Sequence, residues 1–215
     1  MSLRNNITEE YYHVYNRGVD KRAIFFDETD YWRFWKSLKI FNDLDYRGTE
    51  SFYRRQKRNH EPSNTFVDIL AACLMPNHFH ILLKQNVDGG ISEFMKKIGL
   101  SHTHFYNRKQ GRSGRLFESP YQAKRIDSDG YLLHISRYIH LNALSLIEID
   151  WKNIGIPNNR KRESLDFLTT YPWSSFPDYS KIRNSNIIQP SKILELFDDF
   201  EDYKKYMFSS QPNSD

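Results

Sequence analysis

Cysteine is almost missing from this chain: Cys73 is the single one in 215 residues. An intrachain disulfide is therefore excluded, and the usage suits a reducing compartment. Long apolar runs are missing as well. The longest, Ile69 to Met75, is far too short to span a bilayer, and Met1 to Glu10 holds no apolar signal core. No membrane partner is expected, and the cytoplasm is the expected location. Internal repeats and low-complexity tracts are absent, which sets aside solenoid architectures. A strong overall charge is lacking too, since the formal net charge is only +4.

That small charge is unevenly spread. Lys96, Lys97, Arg108, Lys109, Arg112, Arg115, Lys124 and Arg125 face the single acid Glu118 in their stretch, a local balance of +7. Aromatic side chains are plentiful, with 14 Tyr, 15 Phe and 4 Trp. A local positive field beside aromatic rings suits a nucleic acid, with stacking available to unpaired bases. Arg17, Lys97, Arg112, Arg115, Lys124 and Arg125 are the expected nucleic-acid contacts. A second basic cluster, Arg54, Arg55, Lys57 and Arg58 around Tyr53, lies in a polar excursion from Asp45 to Asn64.

The stretch Met75-Pro76-Asn77-His78-Phe79-His80-Ile81-Leu82-Leu83-Lys84 organises the rest. Pro76-Asn77 supplies turn chemistry, and Phe79, Ile81 and Leu83 alternate with His78, His80 and Leu82, the period of a strand. Both imidazoles then leave one face while three apolar groups enter the core on the other. Phe66 to Met75 pairs with this strand as a hairpin. Tyr11 to Tyr15 reads as a first strand, and Leu116 to Ile126 as a fourth with Pro120 as an irregularity. Helical spacing appears from Tyr31 to Phe41 behind the Asp27 and Thr29 caps, from Ile91 to about Tyr106, and from about Gly130 to Leu146 behind Asp127-Ser128-Asp129. The order is strand, helix, strand, strand, helix, strand, helix. It fits an α+β fold, an antiparallel sheet with helices packed on it. One domain over residues 1–147 is expected, with residues 148–215 as a C-terminal extension packed on or trailing it. In that extension Tyr171 to Phe176 reads as a docked turn, and Leu194, Phe197 and Tyr203 line a short helix.

On the third helix Tyr138 and Asn142 are four residues apart, so they stack on one surface. A divalent cation held by His78, His80 and the Asn142 amide oxygen would stand beside the Tyr138 phenol. Two neutral imidazoles and one oxygen leave positions for phosphodiester oxygens, and that mixed set suits Mg2+ or Mn2+ better than a closed zinc site. A phenol attacks only a polarised target, which a metal provides. His102, His104, His134 and His140 read as structural or solvent-facing.

The pattern Met75-Pro76-Asn77-His78-Phe79-His80, followed by Arg137-Tyr138-Ile139-His140-Leu141-Asn142, resembles the single-tyrosine HUH transposases, specifically the REP-associated tyrosine transposases. Tyr12-His13-Val14-Tyr15-Asn16-Arg17-Gly18, Ile24-Phe25-Phe26-Asp27, Gly114-Arg115-Leu116-Phe117 and Tyr171-Pro172-Trp173-Ser174-Ser175 match that branch in kind and order. Ala143 stands where relatives commonly carry proline. The resemblance implies a ferredoxin-like core and a metal-dependent enzyme that cleaves and rejoins single-stranded DNA near palindromic hairpins. It implies that His78, His80 and Asn142 hold the metal and that Tyr138 takes the 5′ phosphate covalently, freeing a 3′ hydroxyl. A homodimer and a monomer both remain open. Competing readings are a noncatalytic binder of DNA hairpins and a metal-binding regulator of RNA.

Overall fold

A computed structural model describes residues 7–46 and 64–209, so the basic cluster Arg54, Arg55, Lys57 and Arg58 around Tyr53 lies outside the described residues. Strand β1 (Tyr11–Arg17) buries Tyr12, Val14 and Asn16 on one face, the period-two pattern of an extended chain. Helix α1 (Glu28–Ile40) starts at a capping box: the Asp27 carboxylate accepts from the Thr29 and Asp30 backbone, and Asp30 accepts from the Asp27 backbone. Strands β2 (Val67–Met75) and β3 (His78–Gln85) form a hairpin across Pro76-Asn77. Helix α2 (Gly90–Lys109), strand β4 (Gln122–Ile126) and helix α3 (Asp129–Leu141) follow.

All pairing is antiparallel, in the order β2-β3-β1-β4. With the succession β-α-β-β-α-β this is the ferredoxin-like arrangement that the sequence led us to expect. Phe34 of α1 packs on Phe79 at 5.2 Å and on His102 of α2 at 5.1 Å between ring centroids, so both helices cover one face. Helix α3 covers the other, where Tyr138 meets His80. Because both faces are covered, Ala71, Cys73 and Leu82 on the histidine side are fully buried. That explains the near-continuous apolar run of β2.

Two elements are shorter than the sequence suggests. The fourth strand begins at Gln122, not Leu116, because Pro120 lacks a backbone donor; upstream of it Phe117 makes only an isolated bridge to Gly18. Gly18 itself is required by space, since a Cβ there would stand 2.3 Å from the Arg22 carbonyl oxygen. The third helix ends at Leu141 and tightens into a 3-10 turn over Asn142–Ile147.

Residues 148–209 wrap the edge of β2. They form α4 (Trp151–Ile154), α5 (Lys161–Thr170), α6 (Phe176–Tyr179), α7 (Ser191–Leu194) and α8 (Phe200–Met207). The Leu74 N–H donates to the Trp173 carbonyl and the Ser175 N–H to the Ala72 carbonyl, each at 2.8 Å, and the Tyr179 hydroxyl donates to Leu70 at 2.9 Å. An edge that would otherwise offer open backbone groups is thereby satisfied. No described helix is long and apolar enough to cross a membrane.

His102 and His140 are almost fully buried, and burial lowers their pKa values from 6.5 to about 4 and about 3. The unfolded chain takes up protons near pH 6.5 while the folded chain resists, so stability falls as pH drops below that value. Each ring should cost about 2 kcal/mol between pH 7 and pH 5. Thermal melts should therefore show a lower Tm at pH 5 than at pH 7, with a smaller drop in His140→Gln. An equal drop in that variant would remove His140 from the account.

Candidate active site

The turn between β2 and β3 is pinned from below. The Pro76 carbonyl accepts from the Ile24 and Phe25 N–H groups at 2.8 and 3.1 Å, and the Asn77 carbonyl from Gly18 at 2.9 Å. The Asn77 side chain donates through Nδ2 to the Lys21 carbonyl at 3.1 Å, which leaves its Oδ1 facing Nδ1 of His78 at 2.6 Å. An amide oxygen can only accept, so His78 carries its proton on Nδ1 and keeps a bare Nε2. Nδ1 of His80 lies 2.9 Å from Nε2 of His13 on β1, with the two rings stacked at 5.0 Å. His78 and His80 meet edge to face at 5.2 Å between centroids.

Burial is the main cause that lowers the His78 pKa to about 4, with Lys152 and Arg17 adding to it. Burial also brings His13 to about 4, helped by Lys124. His80 is pushed well below 6.5 by burial, then by His13, His78 and Lys152. All three rings are neutral at pH 7, the form in which imidazole offers a lone pair. Two neutral imidazoles this close, one with Nε2 bare, fit a divalent cation. Among the described residues no three His, Cys, Asp or Glu side chains gather to hold a metal.

Tyr138 is brought to the histidine pair within one chain. Its ring stands edge-on to His80 at 5.3 Å and to His13 at 5.9 Å, and meets Trp151 at 5.6 Å. Its hydroxyl accepts from Lys152 Nζ at 3.2 Å. Asn142 is buried and still has helical dihedrals, φ −54° and ψ −36°, although the 3-10 turn begins there. Its Nδ2 donates to the Tyr138 carbonyl at 2.9 Å. No hydrogen bond joins Asn142 to either imidazole among the described residues, so its place in the ligand set rests on the sequence pattern.

The basic stretch does not form one patch. Lys97 is half-buried, and its Nζ is buried 4.4 Å from the centre of the Phe66 ring. Arg112 braces its own loop by donating to the Asn107 side chain and the Arg115 carbonyl, and Arg115 is exposed there. Strand alternation sends Lys124 and Arg125 to opposite faces; Lys124 sits across from His13, while Arg125 pairs with Glu10. Arg17 stands across from His78 and pairs with Glu118. Of the six expected contacts, only Arg17 and Lys124 share the histidine face. His13, Lys152 and the exposed Tyr15, whose ring is 5.6 Å from His80, also line it and were not among the expected site residues.

Residues 49–142 match the family described as "Transposase IS200 like". The matched segment contains His78, His80, Tyr138 and Asn142 and stops short of Lys152. No curated protein matches the chain. A solved structure described as "Structure of the REP associates tyrosine transposase bound to a REP hairpin" is similar over 83% of this chain and 83% of that one, at 12% identity and a TM-score of 0.49.

The Asn77 geometry has a direct readout. Side-chain 1H–15N spectra at pH 7 should show His78 as the neutral Nδ1–H form, and it should stay neutral on titration to pH 5. In Asn77→Leu the Nδ1–H signature should weaken, because the acceptor is gone. A native His78 found as the Nε2–H form would contradict the hydrogen-bond assignment.

Proposed function

We propose, on the premise that residues 49–142 belong to the IS200-like transposase family, that this protein is a metal-dependent enzyme that cleaves and rejoins single-stranded DNA near hairpins. The observation that carries the reading is the approach of the Tyr138 ring to His80, 5.3 Å between centroids in the same chain. Tyr138 is the nucleophile in this reading. Its oxygen forms a bond to phosphorus, the bond from phosphorus to the 3′ oxygen breaks, and the 5′ phosphate stays on the tyrosine while a 3′ hydroxyl leaves. The reverse attack by a 3′ hydroxyl on the phosphotyrosine rejoins strands without a high-energy cofactor, because the phosphodiester energy is kept.

His78 and His80, with Asn142 as third ligand, would hold Mg2+ or Mn2+, which when bound draws charge from the nonbridging phosphate oxygens. Nitrogen ligands favour Mn2+ of the two. Lys152 donates to the phenol oxygen and places a positive charge where negative charge would develop as the phenol gives up its proton and as the phenolate leaves on reversal. Arg17 and Lys124 add positive field on the same face, and Tyr15, 37% exposed, offers a surface on which an unpaired base can stack.

The test is a denaturing-gel assay with end-labelled hairpin DNAs and Mn2+. A covalent protein–DNA adduct should form with the native chain, vanish on addition of chelator, and drop below detection in Tyr138→Phe. Tight hairpin binding with no adduct across a panel of hairpins would instead support a noncatalytic binder.

A further inference from the structure

We infer that His13 is a positioning residue for His80: it accepts the Nδ1 proton of that ring from the neighbouring strand and thereby turns Nε2 toward the cation. The inference rests on the metal reading above. His13 is opposite Leu82 and Tyr15 is opposite His80 in the β1–β3 register, so His13 is the diagonal neighbour of His80 on one face. Diagonal neighbours across a strand pair are within reach of long or ring side chains. Here the reach is realised as a 2.9 Å contact between His13 Nε2 and His80 Nδ1, in a ring only 7% exposed.

The two imidazoles of the pair are handled alike. His78 has an acceptor on Nδ1, supplied by Asn77 of its own turn. His80 has no such neighbour in its turn, and the contact to its Nδ1 comes from β1 instead. A ligating imidazole whose other nitrogen is held has a fixed tautomer and a fixed ring plane, and loss of such a partner commonly weakens metal binding about 10–100-fold. Since His13 directs Nε2 at Nδ1 of His80, that lone pair is spent on the neighbouring ring. His13 lies ahead of the segment that matches the family, on a strand whose other contribution to the site is field and surface.

Mn2+ binding to the full chain, followed by electron paramagnetic resonance, tests this without relying on cleavage. His13→Phe keeps the ring volume and removes the acceptor; His13→Gln restores an acceptor oxygen at similar reach. The Phe variant should bind Mn2+ about 10–100-fold more weakly, and the Gln variant should stay within about threefold of native. Side-chain 1H–15N spectra of the native chain should show His80 as the Nδ1–H form. Native binding of Mn2+ with no loss in His13→Phe, or a Gln variant as weak as Phe, overturns the positioning role alone. So does a native His80 protonated on Nε2, a reading that needs no variant to fold. A native chain that takes up no Mn2+ overturns the metal reading and this inference together.

Discussion

The buried imidazole of His140 is the joint on which the site depends. Its Nδ1 meets the Tyr203 hydroxyl and its Nε2 the Ser175 hydroxyl, each at 2.7 Å, and Ser175 in turn accepts from the Ala72 N–H of β2. His140 and Tyr138 are two residues apart on α3, so they leave the helix on nearly opposite sides. One side carries the phenol to His80; the other fastens the helix to the sheet edge and to α8. Arg137 adds to the fastening by donating to the Met207 and Ser209 carbonyls. Each such bond contributes about 1 kcal/mol net, but a buried partner left unpaired costs about 1–3 kcal/mol. Hydrogen bonds therefore cross the point near residue 147 where the sequence changes character, and they bear directly on where the tyrosine stands.

The histidine face gathers positive charge around rings that are themselves uncharged. Burial disfavours the imidazolium form of His13, His78 and His80, and Lys152, Arg17 and Lys124 reinforce it through space. The same cations that keep protons off the nitrogens would attract a phosphate backbone. One electrostatic arrangement thus favours both the ligand state of the imidazoles and the approach of an anionic chain.

Much of this could be read from residue order. Period-two alternation located β1 and β3, the Pro76-Asn77 turn fixed the hairpin, and helical spacing with Asp27 and Ser128 caps located α1 and α3. The failures have particular causes. Pro120 removed the backbone donor that a longer β4 would have needed. A run of bases carries no information about which face each side chain takes, so Lys97 could not be seen turning toward Phe66 or Arg125 away from Lys124. His13 was hidden for a different reason: its neighbour depends on the β1–β3 register, which no local pattern encodes. Lys152 sits in a short helix after the 3-10 turn, and only the turn's geometry carries it back to Tyr138.

The histidine side and the tyrosine side of the site are built to different tolerances. His78 and His80 stand on a strand flanked by β1 and β2, their turn is held at three carbonyls, and each ring has a contact at Nδ1. Tyr138 is packed by His80, His13 and Trp151, yet among the described residues its hydroxyl is held only by an exposed lysine at 3.2 Å. A lysine ammonium on four methylenes adjusts its position at little cost, whereas a strand in the middle of a sheet does not. The chain thus fixes the imidazole nitrogens firmly and leaves the phenol oxygen adjustable. In the proposed mechanism the phenol would bond to phosphorus and later release it, which needs that freedom, whereas a cation site would need fixed donors.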